Sequence, residues 1–135
     1  MFVASVTLFL VASVYGRIMP GGIEEVEVTQ NIRNAADFAT NAINAEIKQQ
    51  QTDSNWHTLA DINNPTKQVV NGLMYGMEIV LKESECRNHE SKNGATIVDC
   101  PPLDNGATKK CNVMVWHQHR RVPEYTLERK RCINI

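Results

Sequence analysis

The chain lacks any strong surplus of charge. Its 135 residues carry 14 Lys and Arg against 15 Asp and Glu, a net charge of −1 with pI near 6.4. There is thus no general drive toward nucleic acid or anionic membrane, and no nucleic-acid partner is expected. Asn-linked glycosylation is not expected either, because the one near-match, Asn64-Pro65-Thr66, is excluded by its proline. No apolar run reaches the roughly 20 residues of a membrane-spanning helix. The longest, Met1 to Val14, is preceded by no Lys or Arg. Val14-Tyr15-Gly16 offers compact residues ahead of a cleavage point, so residues 1–16 read as a secretory signal peptide. An uncleaved anchor is the alternative. Residues 17–135 then form a single domain, secreted and extracellular, with no transmembrane segment. With 42% hydrophobic and 21% charged residues, the chain is globular rather than disordered.

Close cysteine spacing is also missing. Cys86, Cys100, Cys111 and Cys132 all lie in the C-terminal half, and no two form the Cys-x-x-Cys pair that structural zinc sites favour. An even set in an exported chain implies two disulfides, and spacing alone leaves all three pairings open. It also leaves no free thiol for a Cys–His nucleophile, so no enzyme activity is expected.

What is present centres on Gln68-Val69-Val70-Asn71-Gly72. Both residues of an Asn-Gly pair tolerate positive φ, and the resulting turn suits the twist of antiparallel strands. Beyond it, Leu73, Tyr75, Met77, Ile79 and Leu81 fall on one face and Met74, Gly76, Glu78, Val80 and Lys82 on the other. That is the period of a half-buried strand. Thr66 to Gln68 ends the partner strand. Val69 and Val70 would then sit exposed near the tip, and apolar residues on a rigid exposed hairpin ordinarily have a partner. The alternative puts both valines in the core and the turn elsewhere; local pattern does not choose.

Upstream, Ile23 to Val28 alternates Glu and apolar residues as a short first strand. Thr29 offers a helix N-cap. Ile32, Ala35, Ala36, Ala39, Ala42, Ile43 and Ile47 then form one stripe of an amphipathic helix over Gln30–Gln50, with Phe38 at its edge. Thr52 to Asn55 ends it. Trp56 to Ile62 reads as a strand with Trp56, Thr58, Ala60 and Ile62 on one face, and Asn63-Asn64-Pro65 breaks or bulges it. Downstream, Cys86 to Lys110 is a polar loop. In Asn112 to Gln118, Val113 and Val115 oppose Met114 and Trp116. Arg120 to Pro123 turns the chain, and Glu124 to Ile133 is the last strand.

The pentapeptide matches the Gln-x-Val-x-Gly pattern of the cystatins, reversible inhibitors of papain-like cysteine proteases. The chain resembles that family further in Gly21-Gly22, in the helix before the motif, and in four cysteines after it. The resemblance implies an α+β fold, an antiparallel sheet of four or five strands curled around one long helix. It implies the disulfides Cys86–Cys100 and Cys111–Cys132, each worth about 3 kcal/mol if chain entropy dominates. It implies no cofactor, and a target closer to cathepsin L than to cathepsin B. Three segments would bind the protease: an arm of Ile18, Met19 and Pro20 hinged at Gly21, the hairpin Gln68, Val69, Val70, Asn71 and Gly72, and a second hairpin near His119 and Arg120. Cystatins carry a Pro-Trp pair on that second hairpin, and it is missing here. Weaker inhibition or a different target is therefore expected. Asp53 stands where some members have an asparagine that inhibits legumain, so this second inhibition is not expected. The resemblance implies a monomer, although some members exchange the hairpin to form dimers. The rival reading is a secreted protein of the same fold that serves binding or host defence without inhibiting proteases; the basic Lys109-Lys110, Arg120-Arg121 and Arg129-Lys130-Arg131 support it. His117 and His119 could face one way, with His89 or His57 as further ligands. No carboxylate or cysteine has the spacing to complete a site, and no metal is expected.

Overall fold

The computed structural model describes residues 22–88 and 100–135. The expected signal peptide (residues 1–16) and arm residues Ile18, Met19, Pro20 and Gly21 lie outside them, as does His89. One antiparallel sheet has its strands in sequence order: β1 (Glu24–Glu25), β2 (Asn55–Val69), β3 (Leu73–Arg87), β4 (Thr108–His117) and β5 (Tyr125–Asn134). The helix α1 (Gln30–Gln50) links β1 to β2 and packs on one face of the sheet. The fold is therefore α+β, as expected.

Helix α1 begins where Thr29, in extended backbone, accepts a hydrogen bond from the Ile32 N–H at 3.4 Å. It ends with the Gln51 N–H on the Ile47 carbonyl, and Lys48 complements the dipole of the last turn. Its stripe is the expected one: Ile32, Ala35, Ala36, Ala39 and Ile43 are buried, while Ala42 is half-buried. Against them lie Tyr75, Met77, Ile79 and Leu81 of β3 and Cys111, Val113 and Val115 of β4. The period-two reading of both strands holds. The disulfides are Cys86–Cys100 and Cys111–Cys132, and the second bridges directly opposed positions of β4 and β5.

Strand β2 departs from expectation. It runs unbroken to Val69, and its two faces do not keep one phase. A bulge between Leu59 and Asp61 leaves Ala60 exposed and sets both Leu59 and Ile62 against the core. A second bulge, between Asn63 and Thr66, absorbs Asn64 at φ 52° together with Pro65. These residues bend the strand rather than end it. The first strand is also shorter than Ile23–Val28. Only Glu24 and Glu25 pair, with Lys67 and Thr66. The Val26 N–H still reaches the Pro65 carbonyl at 3.0 Å, but Pro65 has no N–H to return, and the ladder stops. The polar loop is narrower than Cys86–Lys110. Strand β3 continues to Arg87, β4 starts at Thr108, and the Leu103 and Ala107 backbone bonds to Glu83 tie the return segment to β3.

Two buried polar residues on α1 escaped the apolar reading of its stripe: Thr40 and Asn44. The Asn44 amide donates to the carbonyls of Thr40 and His57, each at 2.9 Å, and its carbonyl oxygen accepts from the His57 N–H at 2.7 Å. It thus acts as a strand partner at the bulge between Asn55 and His57, clamping the helix to β2. A buried amide so fully paired is stabilising. Asn44→Leu should strip both His57 backbone groups of partners and cost about 2 kcal/mol, seen as a lower urea midpoint at unchanged slope.

Two ionisable groups beside this clamp make the fold acid-sensitive. Burial holds the His57 imidazole below its ordinary value. The Glu83 carboxyl is held down chiefly by the Ala107 N–H, 3.0 Å away, aided by the Asn55 amide. Both take up a proton less readily folded than unfolded. Their contribution is whole above the ordinary values of 6.5 and 4.5 and fades as pH falls below them. Asp37, raised by burial, acts in the opposite sense. The melting temperature should therefore fall from about pH 7 to about pH 4, and Glu83→Gln should flatten the lower part of that fall.

Candidate functional site

The β2–β3 hairpin closes through three residues. Val69 pairs with Leu73, and Val70, Asn71 and Gly72 make the loop. Asn71 and Gly72 both take positive φ, 46° and 119°, as the Asn-Gly pair anticipates. The Val70 N–H closes the loop on the Gly72 carbonyl at 3.1 Å. Val69 and Val70 are 61% and 40% exposed. The alternative in which both are core is thereby excluded.

The β4–β5 turn stands beside this tip, because Leu73 pairs with His117 as well as with Val69. It spans Gln118 to Glu124 and is closed by the Gln118 N–H on the Glu124 carbonyl at 2.9 Å. Arg120 has φ 68°, and His119 through Glu124 are exposed, Val122 almost completely. The antiparallel register of β1 with Lys67 and Thr66 also carries Gly22 and Ile23 toward this end of the sheet, with Ile23 exposed. One edge therefore presents Ile23, Val69, Val70 and Val122 to solvent.

The two hairpins brace each other. The Trp116 indole N–H donates to the Val70 carbonyl at 3.0 Å, and the Gln118 amide donates to the Asn71 carbonyl at 3.2 Å. Gly72 lies so close to β4 that an added Cβ would stand 2.7 Å from the His117 carbonyl oxygen and 3.3 Å from the Trp116 Nε1. No side chain fits there, and φ 119° disfavours one in any case. The glycine's first duty is thus internal: it lets the loop seat against its own neighbour.

A family model for the cystatin domain matches residues 21–119. The chain belongs to the cystatin family. Among curated proteins it is similar to Cystatin-1 of Crotalus adamanteus, 32% identical over 114 residues that span 81% of this chain and 79% of that one. Among solved structures it superposes on dimeric human cystatin F with TM-score 0.67 at 20% identity, covering 88% of this chain and 91% of that one. It superposes on a salivary cystatin of the soft tick Ornithodoros moubata with TM-score 0.65 at 21% identity, covering 85% and 99%. These structural likenesses concern the fold. Cystatins are inhibitors rather than enzymes, and two disulfides fit an extracellular member of the family. Among the described residues no helix is long and apolar enough to cross a membrane.

Within this cystatin, Gln68 lies on β2 one step before the exposed tip, opposite Met74. Residues Val69 to Gly72 form the tip itself, and His119 and Arg120 sit on the neighbouring turn. Sequence reasoning placed Val122 in the turn but not among the binding residues, although it is strongly exposed there, and treated Trp116 only as a strand residue. The adjacency of Trp116 to a tip 46 residues away depends on register, which periodicity does not carry. It also missed Glu124. The turn folds this carboxylate back onto both histidines, 2.7 Å from His117 Nε2 and 3.7 Å from His119 Nδ1. The His117 hydrogen bond, with help from His119, holds the Glu124 carboxyl below its ordinary value.

Gly72→Ala should strain the tip by about 1–3 kcal/mol, lowering the thermal midpoint even with no protease present. Trp116→Phe should keep the ring but lose the bond to Val70, a smaller cost of about 1 kcal/mol, with faster amide exchange confined to residues 70–72.

Proposed function

We propose that the chain is a secreted, reversible, tight-binding inhibitor of papain-like cysteine proteases, of the cathepsin L type before the cathepsin B type. The observation that carries this reading is the pair of exposed valines on a hairpin tip that Trp116 and Gln118 hold rigid. Preorganised loops lose little conformational entropy on docking, so more of the burial energy of Val69 and Val70 appears as affinity. The tip fills the cleft around the catalytic cysteine and presents no peptide bond to the thiolate in attack geometry. The arm, with Met19 and Pro20 hinged at Gly21, extends along the S3 and S2 side, and the signal peptide of residues 1–16 is removed on export. His119, Arg120 and Val122 take the place of the family's Pro-Trp pair. An interfacial tryptophan is worth about 2 kcal/mol or more, so inhibition is weaker by roughly thirtyfold than in a cystatin that keeps the pair.

Titration of the purified domain against papain and a cathepsin L-like enzyme tests this. Competitive inhibition at or below micromolar inhibitor is expected. Val70→Asp should weaken it at least tenfold, or about 1.4 kcal/mol, and so should deletion of residues 17–20, neither changing the thermal midpoint. An inert protein in this titration that still binds liposomes or microbial surfaces would overturn the reading in favour of the non-inhibitory binder.

A further inference from the structure

We propose that His117, His119 and Glu124 form a binding site for a divalent transition-metal ion of the zinc class, at the base of the β4–β5 turn. One donor atom from each residue lies within 4.8 Å of the other two. Three donors at zinc bond lengths of about 2.0–2.2 Å from one tetrahedral centre stand about 3.4 Å apart. Glu124 Oε1 is now 2.7 Å from His117 Nε2 and 3.7 Å from His119 Nδ1. Binding therefore asks Glu124 to draw back from His117 by less than a bond length and His119 to swing inward.

The three side chains differ in the way such a site needs. The His117 ring is held: it stacks on Tyr125 at 4.4 Å and 7°, and Tyr125 stacks in turn on Phe38 of α1 at 5.5 Å. His119 and Glu124 have side chains 78% and 47% exposed, and both can adjust. The turn backbone gathers the set through the Gln118–Glu124 and Arg121–Gln118 hydrogen bonds. Two imidazoles and one carboxylate select zinc-like ions over magnesium or calcium, which prefer oxygen. Three protein ligands leave a coordination position open to water or to a partner's donor. The ion clamps the turn next to the Gln118–Asn71 strut, and the donor geometry holds whether or not the chain inhibits a protease.

Zinc chloride titrated into the purified protein in a non-coordinating buffer, followed by calorimetry and thermal shift, tests the site. One ion per chain is expected, with micromolar affinity and a raised melting temperature; magnesium chloride should do neither. Cobalt(II) should give the visible absorption of a four- or five-coordinate ion. His119→Ala and Glu124→Gln should each weaken zinc binding by about tenfold or more while leaving the circular dichroism of the metal-free protein unchanged. The absence of binding below millimolar zinc, or binding of equal strength in both variants, overturns the proposal.

Discussion

A sheet can wrap a helix closely only if the helix keeps that face narrow. Ala35, Ala36 and Ala39 supply that condition here: all three are wholly buried, and none extends beyond Cβ. Larger side chains come from the sheet instead, with Tyr75, Met77, Ile79 and Leu81 on β3 and Val113 and Val115 on β4 reaching down to the alanine stripe. Size is thus divided between the two layers, and interiors packed this way resist both insertion and removal of volume. Strands β3 and β4 are pinned along their length, so the loops where they begin and end inherit a fixed position.

The exposed edge follows from that pinning. Since β3 starts opposite the end of β4, the tip at Val70–Gly72 and the turn at Gln118–Glu124 emerge side by side. Close approach is then completed by a glycine with no room for a side chain and by two side-chain bonds to the tip carbonyls, one from Trp116 on β4 and one from Gln118 at the start of the turn. The outer face of the loop is open to solvent, and protein donors satisfy the carbonyls of the inner one. An edge of this kind needs no reactive group to act on a partner. Its contribution is shape held in advance, with apolar surface at the tip and polar groups behind it.

The second turn is the more polar of the two loops at this edge. It presents His119, Arg120, Arg121 and Val122 to solvent, while Trp116 on β4 behind it is turned to an internal task. The same turn folds Glu124 onto His117 and His119, which brings metal-ligand chemistry to the edge that the inhibitory reading uses.

The helix, its cap at Thr29, the alternation of β3 and β4, and the Asn-Gly turn were all legible in the residue order. Each is a local matter: a period, a capping hydroxyl, or a pair of residues that tolerate positive φ. The motif Gln68–Gly72 and the cysteines also pointed to a family resemblance, and the disulfide partners were implied by that resemblance, since spacing left all three pairings open. Long-range pairing decided the rest. Of the three register shifts between β2 and β3, those at Leu59/Asp61 and Asn63/Thr66 insert one residue into β2, and single-residue insertions reverse the sidedness of everything beyond them. Asn44 became a backbone partner for His57, Trp116 met Val70, and Glu124 met two histidines only once the strand registers were set. Periodicity tells which side of a strand a residue occupies. Which distant residue waits on that side is determined by the assembled sheet, where contact energy depends on register and not on sequence separation.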